Sequence, residues 1–258
     1  MTHHQDPDAR GPRRHGADRG RRDRRPPPAD PRRRDRRPPP AEPRPHRARP
    51  SISRDAAEEV RGTARIGRAD EAVALAETAA VALGEGDPLM AEQAATRLKA
   101  LAPRSAAGRE LLGLALYHQE RYREALRELL AYRRMSGRRD QNHLIADCHR
   151  ALGAPDRAVT EARAGLTSPV DEAVRAECAI VAGAALADLG RIEEALTVLR
   201  SVPTRAEVAR PHDLRLWYVI ADILERAGRL DEAAEQFRLI LRHDLEAFDA
   251  AERLSALS

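Results

Sequence analysis

The chain has 258 residues and a formal net charge of +4, and only 3% of its residues are aromatic. No apolar run approaches the roughly 18–20 residues of a membrane span, and the Arg-rich N-terminus lacks the apolar core of a secretion signal. These features indicate neither secretion nor membrane insertion, and they predict a cytoplasmic protein. Two cysteines, Cys148 and Cys178, are too few for a disulfide framework, and their apolar neighbours predict buried thiols.

The first 50 residues differ sharply in composition from the rest. They contain 16 Arg, 7 acidic residues and 12 of the 18 Pro, but no Ile, Leu, Val or aromatic residue. Their net charge is therefore +9, and about −5 is left for the remainder. A segment without apolar side chains cannot offset its chain entropy by burial. We therefore predict a disordered Arg/Pro-rich tail over residues 1–52.

The tail contains a twelve-residue repeat, with RDRRPPPADP at 22–31 and RDRRPPPAEP at 34–43. Its proline triplets favour extended polyproline II. The arginines predict non-specific electrostatic attachment to nucleic acid, or attachment to an acidic partner. A solvated low-complexity tail without a ligand is an equal alternative, and a docking peptide for an aromatic groove is a weaker one.

Helices are predicted from Ser53 onward, where Ser53 can cap a helix running to about Ile66. The next segment has two registers, because Gly67-Arg-Ala-Asp-Glu-Ala72 echoes Gly228-Arg-Leu-Asp-Glu-Ala233. Ala72 is then either a close-packing alanine, or part of a first helix over 70–83 whose partner runs 88–101. We prefer the second register, because Ala91 lies one 34-residue period before Ala125.

From residue 106 the apolar periodicity strengthens, and it is clearest at 214–247. There, small and apolar residues recur at offsets 0, 3, 4, 7, 11, 16 and 20: Trp217, Ile220, Ala221, Leu224, Gly228, Ala233 and Phe237. This spacing predicts an antiparallel helix hairpin whose first helix ends at Gly228. The close-packing alanines recur at intervals of 34, 33, 37 and 38 residues: Ala91, Ala125, Ala158, Ala195 and Ala233. The predicted packing residues are Gly113, Ala125, Ala158, Gly183, Ala195, Trp217, Ala221, Ala233 and Phe237.

This pattern resembles the tetratricopeptide repeat (TPR). The resemblance implies an all-α fold, a right-handed α-solenoid of about five TPR helix hairpins plus a C-terminal capping helix over 53–258. The units would be 72–105, 106–138, 139–172, 176–209 and 214–247, with the cap at 247–257 and Leu245, Phe248, Ala251, Leu254 and Leu257 as its apolar stripe. Arg109 and Asn142 depart from the pattern, which favours a large apolar residue there.

A narrower resemblance rests on Glu124-Ala-Leu, on Arg133-Arg134-Met135-Ser136-Gly137 and on Ala146-Asp147-Cys148. These stretches are similar to an actinobacterial TPR family with an Arg/Pro-rich N-terminus. This similarity indicates lineage and implies no activity.

Catalytic motifs are absent from the sequence. His143, Asp147, Cys148 and His149 crowd on one predicted helix, but their directions do not converge as metal ligands must. There is no Gly-rich phosphate loop, nucleophile elbow or CxxC motif. We therefore predict no enzyme activity, no metal and no cofactor.

In TPR proteins the first helix of each unit lines a concave surface, and the resemblance transfers its positions to this chain. The resulting binding surface comprises Glu110, Leu114, Tyr117, His143, Asp147, Arg150, Ile180, Tyr218, Asp222 and Glu225, with Glu177, Ala184 and Arg215 beside them. Acids outnumber bases there, which favours a basic or amphipathic peptide over a carboxylate terminus. The predicted function is a non-catalytic protein-interaction scaffold without membrane contact. The alternative is an RNA- or ribosome-associated adaptor bound through the tail.

A basic patch is predicted at the turn after residue 132. Arg133, Arg134, Arg138 and Arg139 cluster there and have the charge to hold phosphate. Cations near a helix C-terminus are also favoured by the helix dipole without any ligand, so both interpretations stay open.

Overall fold

The computed structural model describes residues 52–205 and 207–257, and the predicted tail lies outside this range. The described residues form twelve α-helices and no strand. The helices are α1 (Arg54–Thr63), α2 (Ala69–Gly84), α3 (Pro88–Leu101), α4 (Ala106–His118), α5 (Tyr122–Ser136), α6 (Asn142–Ala151), α7 (Pro155–Leu166), α8 (Glu172–Asp188), α9 (Ile192–Arg200), α10 (Pro211–Arg226), α11 (Leu230–Leu241) and α12 (Ala250–Ala256).

Ten of these helices pack as five consecutive hairpins, which form a right-handed α-solenoid. The pairs are α2 with α3, α4 with α5, α6 with α7, α8 with α9 and α10 with α11. The second helix of each hairpin also packs on the first helix of the next. Pairing of α2 with α3 corresponds to the second of the two registers considered for the first repeat. None of the twelve helices is long and apolar enough to cross a membrane.

Helix α1 begins as the sequence predicts but ends earlier. Ser53 Oγ accepts a hydrogen bond from the Ala56 amide at 3.2 Å, which caps the helix N-terminus. The helix ends at Thr63 because Ala64 is extended, so Ile66 lies outside the helix with its side chain fully exposed. The Glu59 carboxylate of α1 accepts hydrogen bonds from Ser105 Oγ and the Ala106 amide at 2.8 and 2.7 Å, which ties α1 to the start of α4.

Close helix contacts define the hairpins. A Cβ on Gly113 would lie 2.7 Å from Leu129 Cδ2, and a Cβ on Gly183 would lie 2.7 Å from Leu199 Cγ. Only glycine therefore fits opposite these leucines. The repeat alanines are fully buried: Ala91, Ala125, Ala158, Ala195 and Ala233, as are Ala221 and Phe237. The apolar core forms two large clusters, one extending from Val60 to Cys148 and the other from Ala146 to Ala250, and both include residues of α6.

The C-terminal cap differs from its prediction. Helix α12 begins at Ala250 rather than near 247, Leu245 is 79% exposed, and Ala251 is also exposed. The predicted stripe is therefore wrong at Leu245 and Ala251, whereas Phe248, Leu254 and Leu257 pack against the core, and the buried positions are Ala247 and Ala250. The physical cause is a bend: Phe248 has a φ of 56°, which turns the chain and lets its ring pack on Tyr218 with centroids 4.7 Å apart.

Candidate functional site

The predicted concave residues lie on α4, α6, α8 and α10, and direct polar contacts join neighbouring helices. Tyr117 donates to Asp147 Oδ2 at 2.5 Å. Arg150 Nε lies 3.3 Å from Asp147 Oδ1, and Arg150 Nη1 lies 3.0 Å from Asp188 Oδ2 on α8. These contacts link three successive first helices across the groove.

The contacts continue to the cap. Arg226 lies 3.8 Å from Asp188 and 3.7 Å from Asp222. Arg253 of α12 lies 2.9 Å from Asp222 and 2.5 Å from Glu225. We call the whole series from Tyr117 to Arg253 the ion-pair ladder.

The ladder corrects the expected charge of the groove. Asp147 pairs with Arg150, and Asp222 and Glu225 share Arg253, each within 3.3 Å, so most of their charge is balanced within the chain. The sequence interpretation missed Arg226 and Arg253 because neither lies at a concave position of the repeat. The single arginine of the short cap helix, Arg253, was the one sequence feature that pointed to such a pairing. Its contacts, however, are set by the bend at Phe248 before that helix.

Several predicted lining residues are buried and do not form an open surface. Tyr117, Asp147, Ile180 and Tyr218 are each less than a tenth exposed. Tyr218 lies beneath the cap, where its hydroxyl donates to Asp249 Oδ1 at 2.7 Å. Burial, together with the hydrogen bond to Asp249, raises the pKa of Tyr218 to about 12. The predicted residues that remain partly exposed are Glu110, Leu114, His143, Arg150, Asp222 and Glu225, with Glu177, Ala184 and Arg215 beside them.

A second group of polar residues occupies the middle of the groove. We call His143, Asp147, Glu177, His212 and Arg215 the central cluster; they come from α6, α8 and α10. Arg215 Nη2 donates to Glu177 Oε2 at 3.0 Å, whereas Arg215 Nε lies 2.9 Å from Oε1 but is not aligned for a hydrogen bond. Burial raises the pKa of Glu177 despite Arg215, and burial lowers the pKa of His143 to about 4. His143 is therefore neutral at pH 7.

The two histidines of the central cluster have unused hydrogen-bonding capacity. Among the described residues, neither His143 Nδ1 nor His212 Nε2 has a hydrogen-bond partner of good geometry, although both atoms are buried; the Asp140 backbone interacts with the His143 ring only strongly enough to oppose part of the lowering of its pKa. His212 Nε2 is 3.8 Å from Asp213 Oδ1, which is too long for a hydrogen bond. A buried polar atom without a partner costs about 1–3 kcal/mol, so a bound group that supplied partners would bind favourably here.

Glu110 lies at the N-terminal side of the groove. It accepts a hydrogen bond from Gln141 Nε2 at 2.7 Å, which connects α4 to the residue before α6. Burial raises the pKa of Glu110. Leu114, one turn further along α4, is partly exposed and supplies an apolar contact point.

The predicted basic patch divides into two pairs. Arg133 is 2.5 Å from Glu161, and Arg138 is 2.5 Å from Asp140, so these two charges are balanced. Arg134 and Arg139 are exposed and form no ion pair within the part of the chain that the structure covers.

The groups considered for metal binding do not converge. No set of three His, Cys, Asp or Glu side chains that could hold a metal ion occurs within residues 52–205 and 207–257. Cys148 is buried, and Asp147 is engaged by Tyr117 and Arg150. Asp213 accepts a hydrogen bond from the Arg210 amide at 2.9 Å, so its carboxylate is engaged at the start of α10.

Comparisons with known proteins agree with this architecture. A model of the tetratricopeptide repeat family matches residues 214–244, and no curated protein shows significant sequence similarity. The structure of MamA is similar at a TM-score of 0.50 and 15% identity, covering 69% of this chain and 96% of MamA. YrrB, a TPR protein with an unusual peptide-binding site, is similar at 0.50 and 17% identity, covering 70% and 90%.

The apo quorum sensor NprR of B. thuringiensis is similar at a TM-score of 0.57 and 17% identity, covering 72% of this chain but 58% of NprR. Identities this low establish the fold alone. Together with the repeat match, these likenesses support a TPR protein, and the chain folds as a TPR α-solenoid.

Proposed function

We propose that the protein is a non-catalytic interaction scaffold that binds a segment of a partner protein at the central cluster of its concave groove. The observation that carries the proposal is the pair of buried, unpartnered atoms His143 Nδ1 and His212 Nε2. A peptide backbone or amide side chain supplies the donors and acceptors that these atoms lack. YrrB, which shares the fold, has a peptide-binding site.

The ion-pair ladder supports one kind of partner segment over another. Because the groove acids are already paired with Arg150, Arg226 and Arg253, a basic peptide gains little from them. An amphipathic segment fits better, with polar groups at the central cluster and an apolar side chain against Leu114 or Ala184. We therefore favour the amphipathic alternative over the basic one.

The tail supplies the rest of the proposal. With a net charge of +9, residues 1–50 would provide electrostatic attachment in the cytoplasm. The same charge supports the alternative function of an RNA- or ribosome-associated adaptor, in which the tail is the principal binding element. The actinobacterial lineage is part of the proposal and rests on the sequence stretches given above.

The test of groove binding starts from peptides selected on the full-length protein from a random twelve-residue library. We expect the His143→Leu/His212→Leu double variant to bind a selected peptide at least tenfold more weakly than wild type. His118→Leu, on an exposed side chain of α4, is the matched control and should change affinity less than twofold. Equal losses in both variants would contradict the proposal.

The adaptor alternative needs its own experiment. Full-length protein and residues 51–258 are compared in pull-downs with and without nuclease. If the scaffold proposal holds, the partner is retained after truncation and nuclease treatment. Loss of all partners under either treatment favours the RNA adaptor.

A further inference from the structure

A cleft lies between α5 and α7, the second helices of hairpins two and three. It has a volume of about 690 Å³ and is open to solvent. Thr160 and Ala164 on the α7 side are small, which leaves space opposite Leu130. Three guanidinium groups line the same cleft: Arg133 and Arg134 from the last turn of α5, and Arg139 from the turn that follows.

One of these arginines, Arg133, is held in place by partly buried contacts. Arg133 Nη1 lies 2.5 Å from Glu161 Oε2 and 3.3 Å from Asn142 Oδ1. Asn142 is completely buried, and its Nδ2 donates to the Glu161 carbonyl at 3.0 Å. Asn142 occupies a position where the repeat pattern favours a large apolar residue. Its polarity has a structural use here, because it fixes Arg133 against α7.

The other two arginines carry uncompensated charge. Arg134 and Arg139 are exposed, and no carboxylate of the described residues pairs with either. Since Glu161 balances Arg133, the cleft has an excess of about two positive charges. The helix dipole accounts for cations in the last turn of α5, but it explains neither Arg139, which lies beyond the helix, nor the buried Asn142.

We propose that this cleft binds a phosphomonoester group. A phosphomonoester carries a charge of about −1.5 to −2 at pH 7, which matches the excess of the cleft. Guanidinium forks pair with phosphate oxygens bidentately. No aromatic side chain lines the cleft, so it offers nucleic-acid bases nothing to stack on, and its guanidinium groups are its only features that select an anion. The site is separate from the concave groove and independent of the function proposed for it.

The test measures binding of a fluorescent phosphoserine peptide to the full-length protein at 150 mM salt. Arg134→Gln/Arg139→Gln should weaken binding at least tenfold. Arg123→Gln/Arg242→Gln removes the same charge from exposed arginines outside the cleft, and it should change affinity less than twofold. This control also accounts for anion binding by the basic tail, which is unchanged in both variants. Thermal melts should coincide, since all four side chains are exposed.

Further probes distinguish the source of the phosphate. Binding of the phosphoserine peptide at least tenfold more tightly than inorganic phosphate indicates a phosphorylated protein, and comparable binding indicates a free phosphate compound; either result supports the site. Equal losses in the two double variants, or equal binding of the unphosphorylated peptide, would overturn it. Tighter binding of single-stranded RNA that depends on Arg134 and Arg139 would also overturn it, since a polyanion would then be the ligand.

Discussion

Hairpins two and five carry side chains of opposite character at the same position of the repeat. In hairpin five the position is Trp217, which is 4% exposed and stacks on His243 with ring centroids 5.5 Å apart. In hairpin two it is Arg109, whose Nη1 donates to Glu128 Oε2 at 2.8 Å. One backbone position therefore accepts either a buried ring or a charged group, provided that the charged group has a partner.

Hairpin three follows hairpin two. Its residue at this position is Asn142, which donates to the backbone of Glu161. Glu161 lies 19 residues after Asn142, and Glu128 likewise lies 19 residues after its partner Arg109. The partner of Arg109 is the Glu128 side chain, whereas the partner of Asn142 is a main-chain carbonyl of the second helix. The comparison teaches that a polar departure from the apolar repeat pattern is accommodated when the second helix of the same hairpin, together with the neighbouring hairpin, supplies its polar partners.

The largest loss of stability is expected in hairpin five, where this repeat position holds an apolar side chain. Trp217→Ala should lower the free energy of unfolding by about 3–5 kcal/mol, because a large buried ring is lost and the site collapses only partly. Urea denaturation followed by circular dichroism measures the loss. An unchanged midpoint would show that Trp217 does not carry the packing of hairpin five.

The polar position should behave differently. Burial opposes ionisation of Glu128, yet hydrogen bonds from Lys99 and Arg109 lower its pKa, so the carboxylate depends on both partners. Arg109→Met should cost about 1.5–3 kcal/mol by removing one charged hydrogen bond. Arg109→Met/Glu128→Leu should recover to within about 1 kcal/mol of wild type, since an apolar pair replaces the ion pair. If the double variant is less stable than the single one, compensation within the hairpin is the wrong explanation.

Close packing provides a third test. Gly183→Ala should destabilise the protein by about 1–3 kcal/mol, because the new Cβ meets Leu199 at 2.7 Å. Combined with Leu199→Ala, it should cost at least about 1 kcal/mol less than the two changes summed, as neighbours in contact are not additive. Gly62→Ala is the control: it lies in α1 with no atom within 4 Å, and should stabilise by about 0.5–1 kcal/mol.

The smallest effect concerns the central cluster and depends on pH. The pKa of His143 is about 4 when folded, against about 6.5 when unfolded. Between these values the unfolded chain binds the extra proton, so stability falls as the pH decreases. From pH 7 to 5 this group should remove about 1–2 kcal/mol. Between pH 7 and 5, the free energy of unfolding of His143→Gln should therefore fall by about 1–2 kcal/mol less than that of wild type. Urea denaturation at both pH values measures this difference.

Glu110 and Glu177 have raised pKa values and act with the opposite sign, because their contribution is lost as the pH rises. Both remain in wild type and variant, so the difference isolates His143. The same pH dependence in the two proteins would mean that His143 titrates normally in the fold.

The sequence by itself determined the architecture. Helix period, the repeated alanines and Gly228 are local signals, and an antiparallel hairpin follows from local geometry, so the all-α solenoid was predictable from spacing. The structure confirms that fold, while the tail prediction lies outside the described residues. Gly113 and Gly183 were also identifiable, although their facing residues, Leu129 and Leu199, are apparent only in three dimensions.

The tertiary structure alone decided the chemistry of the groove. Asp222 and Glu225 meet Arg253 across about thirty residues, and the left-handed bend at Phe248 is what places the cap helix there. Repeat spacing assigns a residue to a face of its own helix, but it does not say which side chains from other helices neutralise it. Electrostatic pairing depends on distances of a few ångströms between helices, and those distances are set by packing.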